Sequence, residues 1–296
     1  MARGGGRGAS AVGGGWPGDD GGWVVVDKPG GLLSVPGRPP NDGDSVVSRV
    51  RGMVAGASGP IAVHRLDMET SGLMVCALDA WTHRELSVRF ERRAVRKVYE
   101  AWVAGWLSAE EGVIRLPMRP EPRARPMQVV DRERGKPAET RFRVVAREVW
   151  AGGMRGGMGG GDGGEVTRVV FEPVTGRSHQ LRVHAAHPEG LGAPIVGDGL
   201  YPPRRERWSA EAWSALCERW EPVRCTAGMP GAGLLLRATV LGFEDPWTGE
   251  WVEVRGGRGG GGTGGEATPA EERRSKGAKK RRSEEAKKRR SDEATK

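Results

Sequence analysis

Glycine-rich stretches limit which part of this chain can form a packed core. Of the 296 residues, 49 are glycine, and they concentrate in residues 1–22, 151–164 and 256–265. Such stretches bury too little apolar surface to offset the entropy lost on ordering their backbone. We therefore expect residues 1–22 to be a disordered N-terminus, residues 23–255 to form one domain, and residues 256–296 to be a glycine linker with a disordered basic tail. The stretch at 151–164 is expected to be a long hairpin loop within that domain.

The positive charge of the chain is concentrated at its C-terminus. The formal net charge is +9, and residues 271–296 hold 12 Lys and Arg against six Asp and Glu. The rest of the chain is therefore nearly balanced, and its charge is weak support for a polyanionic partner. Two Lys-Lys-Arg-Arg units in the tail leave three interpretations open: an RNA-binding arm, a nuclear import signal or a solubilising tail.

Composition also excludes some protein classes. No apolar run approaches the roughly 20 residues needed to span a membrane, so we expect a soluble protein without membrane contact. The three cysteines, Cys76, Cys217 and Cys225, are too few and too irregularly spaced for a disulfide framework, which favours a reducing, intracellular compartment. The basic tail gives some weight to the nucleus, but cytosol and organelle stay open.

Hydrophobic patterns between residues 23 and 255 predict an α+β fold. Asp79 is positioned to cap a helix that continues to about Arg93, and Ser178 to cap a short second helix. Many strands with few intervening helices favour α+β over a doubly wound sheet. The predicted strands lie at residues 23–27, 73–78, 97–105, 140–149, 166–171, 234–243 and 251–254.

Two polar clusters are candidates for a functional site. Residues 64–72 lie between two apolar runs, an arrangement that holds the Asp67 carboxylate at the rim of a core. Residues 175–184 form a turn that opens a helix, where Arg177 can offer a planar guanidinium to a carboxylate. From these residues alone, a structural ion pair on a turn is the more common role for an aspartate such as Asp67.

Rare residue types point to two further candidates. Six of the nine lysines lie in the tail, and the whole chain has two tyrosines. Lys97 and Tyr99 nevertheless lie two residues apart in a predicted strand. Where composition disfavours a residue type, its presence suggests that its particular side chain is needed.

Other chemistries fit the sequence poorly. His179, His184 and His187 lack the usual helical spacing of a metal site, and Ser71 is not in a Gly-x-Ser-x-Gly elbow. No phosphate-binding glycine loop follows a strand of the core. We therefore expect no metal and no nucleotide cofactor.

Five segments in order along the chain resemble the motifs of RluA-type pseudouridine synthases. The signature His-Arg-Leu-Asp-x-x-Thr-Ser-Gly is met at every fixed position by residues 64–72. The details are most similar to the RluA branch, whose members modify uridines in ribosomal and transfer RNA stem-loops. The other four segments are residues 26–37, Lys97-Val98-Tyr99, residues 176–184 and residues 194–201.

This resemblance implies a fold, an activity and a partner. The fold would be a catalytic domain with a mixed, mainly antiparallel central sheet flanked by helices. The activity would be isomerisation of uridine to pseudouridine in structured RNA, without a cofactor, by a protein expected to be monomeric. The alternative is a non-catalytic RNA-binding or chaperone protein that has kept the fold.

The resemblance also implies residue roles. Asp67 would be the nucleophile, although attack on the base, attack on the ribose and a glycal route all stay open. Arg177 would pair with Asp67. Tyr99 would lie against the flipped base and would remove the proton from carbon 5, either directly or by positioning a base. Arg237 stands where relatives often have histidine and is expected to make a surface contact. The implied RNA contacts are Arg65, which would fill the space left by the flipped nucleotide, with His64, Lys28, Lys97 and His179.

Overall fold

The structure is a computed structural model, and it describes residues 10–15, 22–37, 43–150, 164–201 and 233–256. The predictions for the tail, and for all but the last residue of the 151–164 loop, lie outside these residues. Within the described segments, every helix is too short or too polar to cross a lipid bilayer.

The described segments contain eleven strands and three helices. The strands are β1 (Ser10–Gly15), β2 (Trp23–Lys28), β3 (Ser71–Ala77), β4 (Arg96–Ala104), β5 (Glu111–Arg115), β6 (Met118–Pro120), β7 (Gln128–Val130), β8 (Glu139–Trp150), β9 (Gly164–Pro173), β10 (Leu236–Glu244) and β11 (Trp251–Arg255). The helices are α1 (Val46–Met53), α2 (Ala80–Glu91) and α3 (Gln180–Ala186).

One large sheet organises the domain. Eight of its strands follow the order β1-β2-β3-β10-β4-β9-β8-β5, and β11 pairs with β10 as the ninth. The pairing of β3 with β10 is parallel and the other pairings are antiparallel. A separate hairpin is formed by β6 and β7. The α+β prediction, with a mixed and mainly antiparallel sheet, is confirmed.

Strands β2 and β3 are buried on both faces of the sheet. On one face Val24, Val26, Met74 and Cys76 pack with the apolar side of α1, and on the other face Val25 and its neighbours pack with Leu86 of α2. Strands covered on both faces consist of continuous apolar runs rather than alternating ones. This burial gives the loop between Ile61 and β3, which holds the polar cluster, a rigid base.

The helix N-termini agree only in part with the predictions. Asp79 caps α2, since its carboxylate accepts hydrogen bonds from the Thr82 amide at 2.9 Å and the Gly22 amide at 2.8 Å. The prediction for Ser178 is wrong, because α3 begins at Gln180 and its N-cap is His179. The side chain of Gln180, rather than that of Ser178, stabilises this turn, because it accepts a hydrogen bond from the Arg177 amide at 3.0 Å.

Several elements were missed by sequence patterns. Strand β1 pairs antiparallel with β2, so the predicted disorder of residues 1–22 is wrong for Ser10–Gly15. The backbone of β1 is ordered by its pairing with the buried strand β2, although the sequence of β1 has little of the apolar alternation typical of a strand. The short strands β6 and β7 and the eight-residue helix α1 are likewise too brief for a strong periodic signal.

Arg237 is buried, contrary to the predicted surface contact. It lies on β10 opposite Ser71 of β3, is 8% exposed, and pairs through Nη2 with the Asp27 carboxylate of β2. Only a small part of this side chain therefore reaches the surface. The pair therefore ties together three strands next to the polar cluster.

Gly72 shows why the polar cluster ends in glycine. Its φ is +109°, and a Cβ atom there would lie 2.2 Å from the carbonyl oxygen of Ala238 on β10. We expect Gly72→Ala to lower the free energy of unfolding by about 3 kcal/mol or more, because the close approach and the left-handed φ both oppose a side chain.

Gly31→Ala is the matched control for this prediction. Gly31 also has a positive φ, +82°, but no atom lies within 4 Å of its added Cβ. Its cost is expected to be about 1 kcal/mol, from backbone strain alone. Urea denaturation of both variants measures the difference, and equal losses would contradict the importance of the contact between β3 and β10.

Candidate active site

A cavity of about 1210 Å³ opens beside the Asp67 loop. Its walls come from residues 63–70, from Lys97 and Tyr99 on β4, from residues 173–182 before and within α3, and from the β6–β7 hairpin. Four segments that are far apart in sequence thus meet around Asp67. The Asp67 side chain is 28% exposed, so its carboxylate reaches the cavity while its backbone is held by the core.

The backbone on both sides of Asp67 is held by the turn at residues 28–34. Ser34 Oγ donates to the Leu66 carbonyl at 2.6 Å and accepts from the Leu66 amide at 3.0 Å. On the other side, the Gly31 amide donates to the Met68 carbonyl at 2.9 Å. The opening motif of the chain therefore acts as a support for the loop that carries the carboxylate.

Lys28 has a structural role in this support. It is fully buried, and its Nζ donates to the carbonyls of Pro29 at 3.0 Å, Leu32 at 2.7 Å and Met68 at 2.8 Å. A buried ammonium is tolerated when its protons are bonded in this way. The predicted contact of Lys28 with RNA is contradicted, because no part of its side chain reaches the surface.

Arg182, and not Arg177, faces the Asp67 carboxylate. Arg182 Nη1 lies 3.9 Å from Asp67 Oδ2, and its side chain is 2% exposed. It is held by Asp198, whose oxygens accept from Nε at 2.8 Å and from Nη2 at 2.6 Å, the bidentate geometry that suits a guanidinium. Arg177 instead donates from Nε to the Pro137 carbonyl at 3.1 Å.

The predicted pair between Arg177 and Asp67 is therefore corrected. Because α3 begins at Gln180, Arg177 lies in the preceding turn at the wall of the cavity, while Arg182 lies on the buried side of the helix. One feature of the sequence could have indicated Arg182. Asp198, in the last of the five motifs, is an acidic residue that needs a buried basic partner.

Three carboxylates surround Arg182. Besides Asp67 and Asp198, Glu69 Oε2 accepts from Nη2 at 3.1 Å. Burial raises the pKa of Glu69, the charges of Asp198 and Asp67 raise it further, and Arg182 opposes these effects. The cluster is thus an acidic one with a single buried cation at its centre.

Tyr99 and Lys97 project into the cavity from β4. They are two residues apart and so lie on the same face of the strand. Burial raises the pKa of the Tyr99 hydroxyl above its usual value, and the nearby Asp67 charge raises it further. Burial lowers the pKa of Lys97, with Arg93 adding to the effect. Tyr99 is consequently a neutral phenol at neutral pH.

His64 and Arg65 occupy different environments although they are adjacent. His64 Nε2 accepts from the Val75 amide at 3.1 Å, and its ring stacks on Phe90 with centroids 4.5 Å apart. Burial lowers the pKa of His64 to about 3, and the Lys97 charge contributes. His64 is thus a neutral support of the loop, while Arg65 is exposed at the cavity. Their predicted contacts with RNA stay predictions.

His179 lies between Asp67 and the second tyrosine of the chain. Its Nε2 is 4.0 Å from Asp67 Oδ1, and its Nδ1 is 3.1 Å from the Tyr201 hydroxyl. Sequence patterns assigned no role to Tyr201, although the scarcity of tyrosine that singled out Tyr99 applies to it equally. Both tyrosines of the chain are thus at or beside the cavity.

Two of the residues weighed for a hydrolase or a metal site, Ser71 and His184, serve the packing of the fold. Ser71 is buried in β3, and His184 Nε2 is paired with the Leu116 carbonyl at 3.2 Å. Across the described ranges, His, Cys, Asp and Glu do not come together in any group of three or more that could hold a metal ion.

Comparison with known proteins agrees with the motifs. A family model described as RNA pseudouridylate synthase matches residues 22–187. The dual-specificity RNA pseudouridine synthase RluA of Yersinia pestis is 46% identical over 178 residues, which are 60% of this chain and 77% of the relative. The protein of the same name from Pasteurella multocida is 39% identical over 230 residues, 78% of this chain and 86% of the relative.

Solved structures show the same fold. Human RNA pseudouridylate synthase domain containing 1 superposes with a TM-score of 0.58 at 24% identity, covering 87% of this chain and 86% of its own. A second human protein, RNA pseudouridylate synthase domain containing 4, superposes with a TM-score of 0.54, also at 24% identity. The match covers 80% of this chain and 85% of that protein. The family model and the curated relatives show that the chain belongs to the RNA pseudouridylate synthase family. Within that family it is of the RluA type, as the five motifs predicted.

Proposed function

We propose that this protein isomerises uridine to pseudouridine in RNA, with Asp67 as the nucleophile. One observation carries the proposal: in a member of this family, the Asp67 carboxylate reaches a cavity while both of its backbone neighbours are anchored by the 28–34 turn. Nucleophilic catalysis needs an activated group held in a defined position. The protein is accordingly an isomerase.

The reaction exchanges one glycosidic bond for another. The bond from N1 of uracil to C1′ of the ribose breaks, the base rotates in the cavity, and a bond forms from C5 to C1′. The proton on C5 is lost and N1 gains a proton, so no atoms are added or removed overall. Asp67 assists either by bonding covalently to the substrate or by promoting a glycal, and Arg182 at 3.9 Å compensates its negative charge.

Tyr99 fits the role of a support for the base better than that of a base itself. Its pKa is raised by burial and by the Asp67 charge, so the phenol keeps its proton at neutral pH. Once the new bond to C1′ has formed, the released Asp67 carboxylate is available to accept the proton from C5. Tyr99 then holds the uracil in the orientation that makes this transfer possible.

The proposed substrate is a uridine in a stem-loop of ribosomal or transfer RNA. A target base must leave its stack to reach Asp67, at a cost of a few kcal/mol, roughly, that is lowest in loops. Arg65 is exposed at the cavity, where it can fill the space left by the flipped nucleotide. The name of the relatives, dual-specificity RNA pseudouridine synthase, supports the proposal that this protein acts on more than one RNA. We propose that the protein acts as a monomer.

Release of tritium from RNA labelled at carbon 5 of uridine tests this function. Each isomerisation replaces the C5 hydrogen, so tritium passes into water in proportion to product. We expect release from ribosomal or transfer RNA stem-loops, and none when the target uridine is replaced by cytidine. Binding of these RNAs without any tritium release would instead support the non-catalytic alternative.

A further inference from the structure

Tyr201 contacts both groups that face the Asp67 carboxylate. Its hydroxyl is 3.1 Å from His179 Nδ1, and its ring centroid is 5.6 Å from Cζ of Arg182. Its backbone amide donates to Asp198 Oδ1 at 2.9 Å, the same carboxylate that holds Arg182. Tyr201 does not line the cavity, so its influence on Asp67 must pass through these neighbours.

The hydrogen bonds of the Tyr201 hydroxyl favour one tautomer of His179. The amide of Gln128 on β7 donates to the phenol oxygen at 2.7 Å, so the phenol proton is free to go elsewhere. His179 Nδ1 lies at hydrogen-bond distance from the phenol oxygen. Nδ1 can accept the phenol proton only if the proton of the imidazole ring is on Nε2.

The opposite tautomer is disfavoured at both ends of the ring. A proton on Nδ1 would leave the phenol proton without this acceptor and would turn the Nε2 lone pair toward Asp67 Oδ1, 4.0 Å away. A fully protonated ring is also disfavoured. Burial lowers the pKa of His179, although the charges facing it are mixed, with Asp67 and Asp198 raising the pKa and Arg182 lowering it.

We propose that Tyr201 is a positioning residue that fixes His179 as the Nε2–H tautomer, so that this N–H faces Asp67 Oδ1. The carboxylate then lies between two donors at ion-pair distance, with His179 Nε2 4.0 Å from Oδ1 and Arg182 Nη1 3.9 Å from Oδ2. Because the phenol also binds the β7 backbone, the same contact links the hairpin that lines the cavity to the nucleophile. Only the kinetic consequence rests on the proposed function.

Tyr201→Phe removes the hydroxyl and keeps the ring, which packs with Met118, Ala138 and Val183. The ¹⁵N NMR spectrum of protein labelled at its five histidines reports each ring tautomer directly. The spectrum of His179→Gln, in which one set of signals disappears, assigns His179. We expect the Nε2–H form in the unchanged protein and a mixture with Nδ1–H in Tyr201→Phe.

Steady-state kinetics test whether the tautomer matters to Asp67. Loss of one orienting hydrogen bond in a buried site is expected to lower kcat about 10-fold, with KM changed less than about 2-fold. In His179→Gln the amide N–H occupies the place of Nε2–H and cannot tautomerise. Adding Tyr201→Phe to that variant is therefore expected to lower kcat less than about 2-fold. His187→Gln, at the other end of α3, is the control and is expected to leave kcat unchanged.

Each outcome has a distinct meaning. An unchanged His179 tautomer in Tyr201→Phe overturns the proposal. The tautomer could also change while Tyr201→Phe lowers kcat equally in the unchanged protein and in His179→Gln. The loss of kcat would then be a merely structural effect, and the proposal would be overturned. If the unchanged protein releases no tritium from any RNA while its tautomer responds to Tyr201→Phe, the proposed function fails and the control of His179 by Tyr201 stands.

Discussion

Asp67→Asn is expected to abolish pseudouridine formation while leaving RNA binding in place. The amide has nearly the same shape as the carboxylate but cannot act as the nucleophile, and loss of a nucleophile lowers turnover by roughly 10⁴-fold or more. Arg182 keeps Asp198 and Glu69 as partners, so the fold is expected to survive. Tritium release measures the loss, and a binding titration with the same RNA measures what remains.

Asp44→Asn is the matched control for this loss. It removes one carboxylate charge from an exposed ion pair with Arg49, away from the cavity. Such surface pairs contribute little, so neither turnover nor stability is expected to change measurably. Activity of Asp67→Asn within 10-fold of the unchanged protein would exclude Asp67 as the nucleophile.

Arg182→Gln is expected to lower the free energy of unfolding by about 3 to 5 kcal/mol. The side chain of Asp198 is fully buried and would lose its bidentate partner, leaving an uncompensated charge in the interior. Turnover is expected to fall as well, because Asp67 loses the cation beside it. Urea denaturation followed by circular dichroism measures the stability, and tritium release measures the turnover.

Arg177→Gln separates the two arginines of the same segment. Arg177 makes one hydrogen bond from its side chain to a carbonyl in a partly exposed turn, so its loss is expected to cost about 1 kcal/mol or less. Arg182→Lys adds a second comparison, since an ammonium keeps the charge but cannot reproduce the two parallel bonds to Asp198. Equal destabilisation by Arg177→Gln and Arg182→Gln would contradict the assignment of Arg182 as the buried partner.

Basic residues that the comparison with family motifs singled out fall into two groups in the structure. Lys28 and Arg237 are buried. Lys28 donates to the Met68 carbonyl, next to Asp67, whereas Arg237 pairs with the Asp27 carboxylate of β2. Arg65, by contrast, is exposed at the cavity. A basic residue in a motif of an RNA-modifying protein is therefore not by itself a contact with RNA, and its burial is needed to distinguish the two roles.

Local chemistry made a large part of the molecule predictable. The apolar runs that became β2 and β3, and the cap of α2 at Asp79, depend on a few neighbouring side chains, so their patterns are visible in the chain. The five motif segments in order along the chain, with residues 64–72 as the signature, indicated the family, and that resemblance selected Asp67 as the candidate nucleophile.

Contacts between distant segments could not be predicted in this way. Which of two nearby arginines meets Asp67 depends on where α3 begins, and the bond from Arg182 to Glu69 joins residues 113 positions apart. The hydroxyl of Tyr201 meets the Gln128 amide across 73 positions, and the burial of Lys28 depends on a carbonyl 40 residues away. The sequence by itself determined the family, seven of the nine strands of the large sheet and the carboxylate, because these follow from local pattern. Only the tertiary structure decided that carboxylate's partners, because they are brought to it by packing.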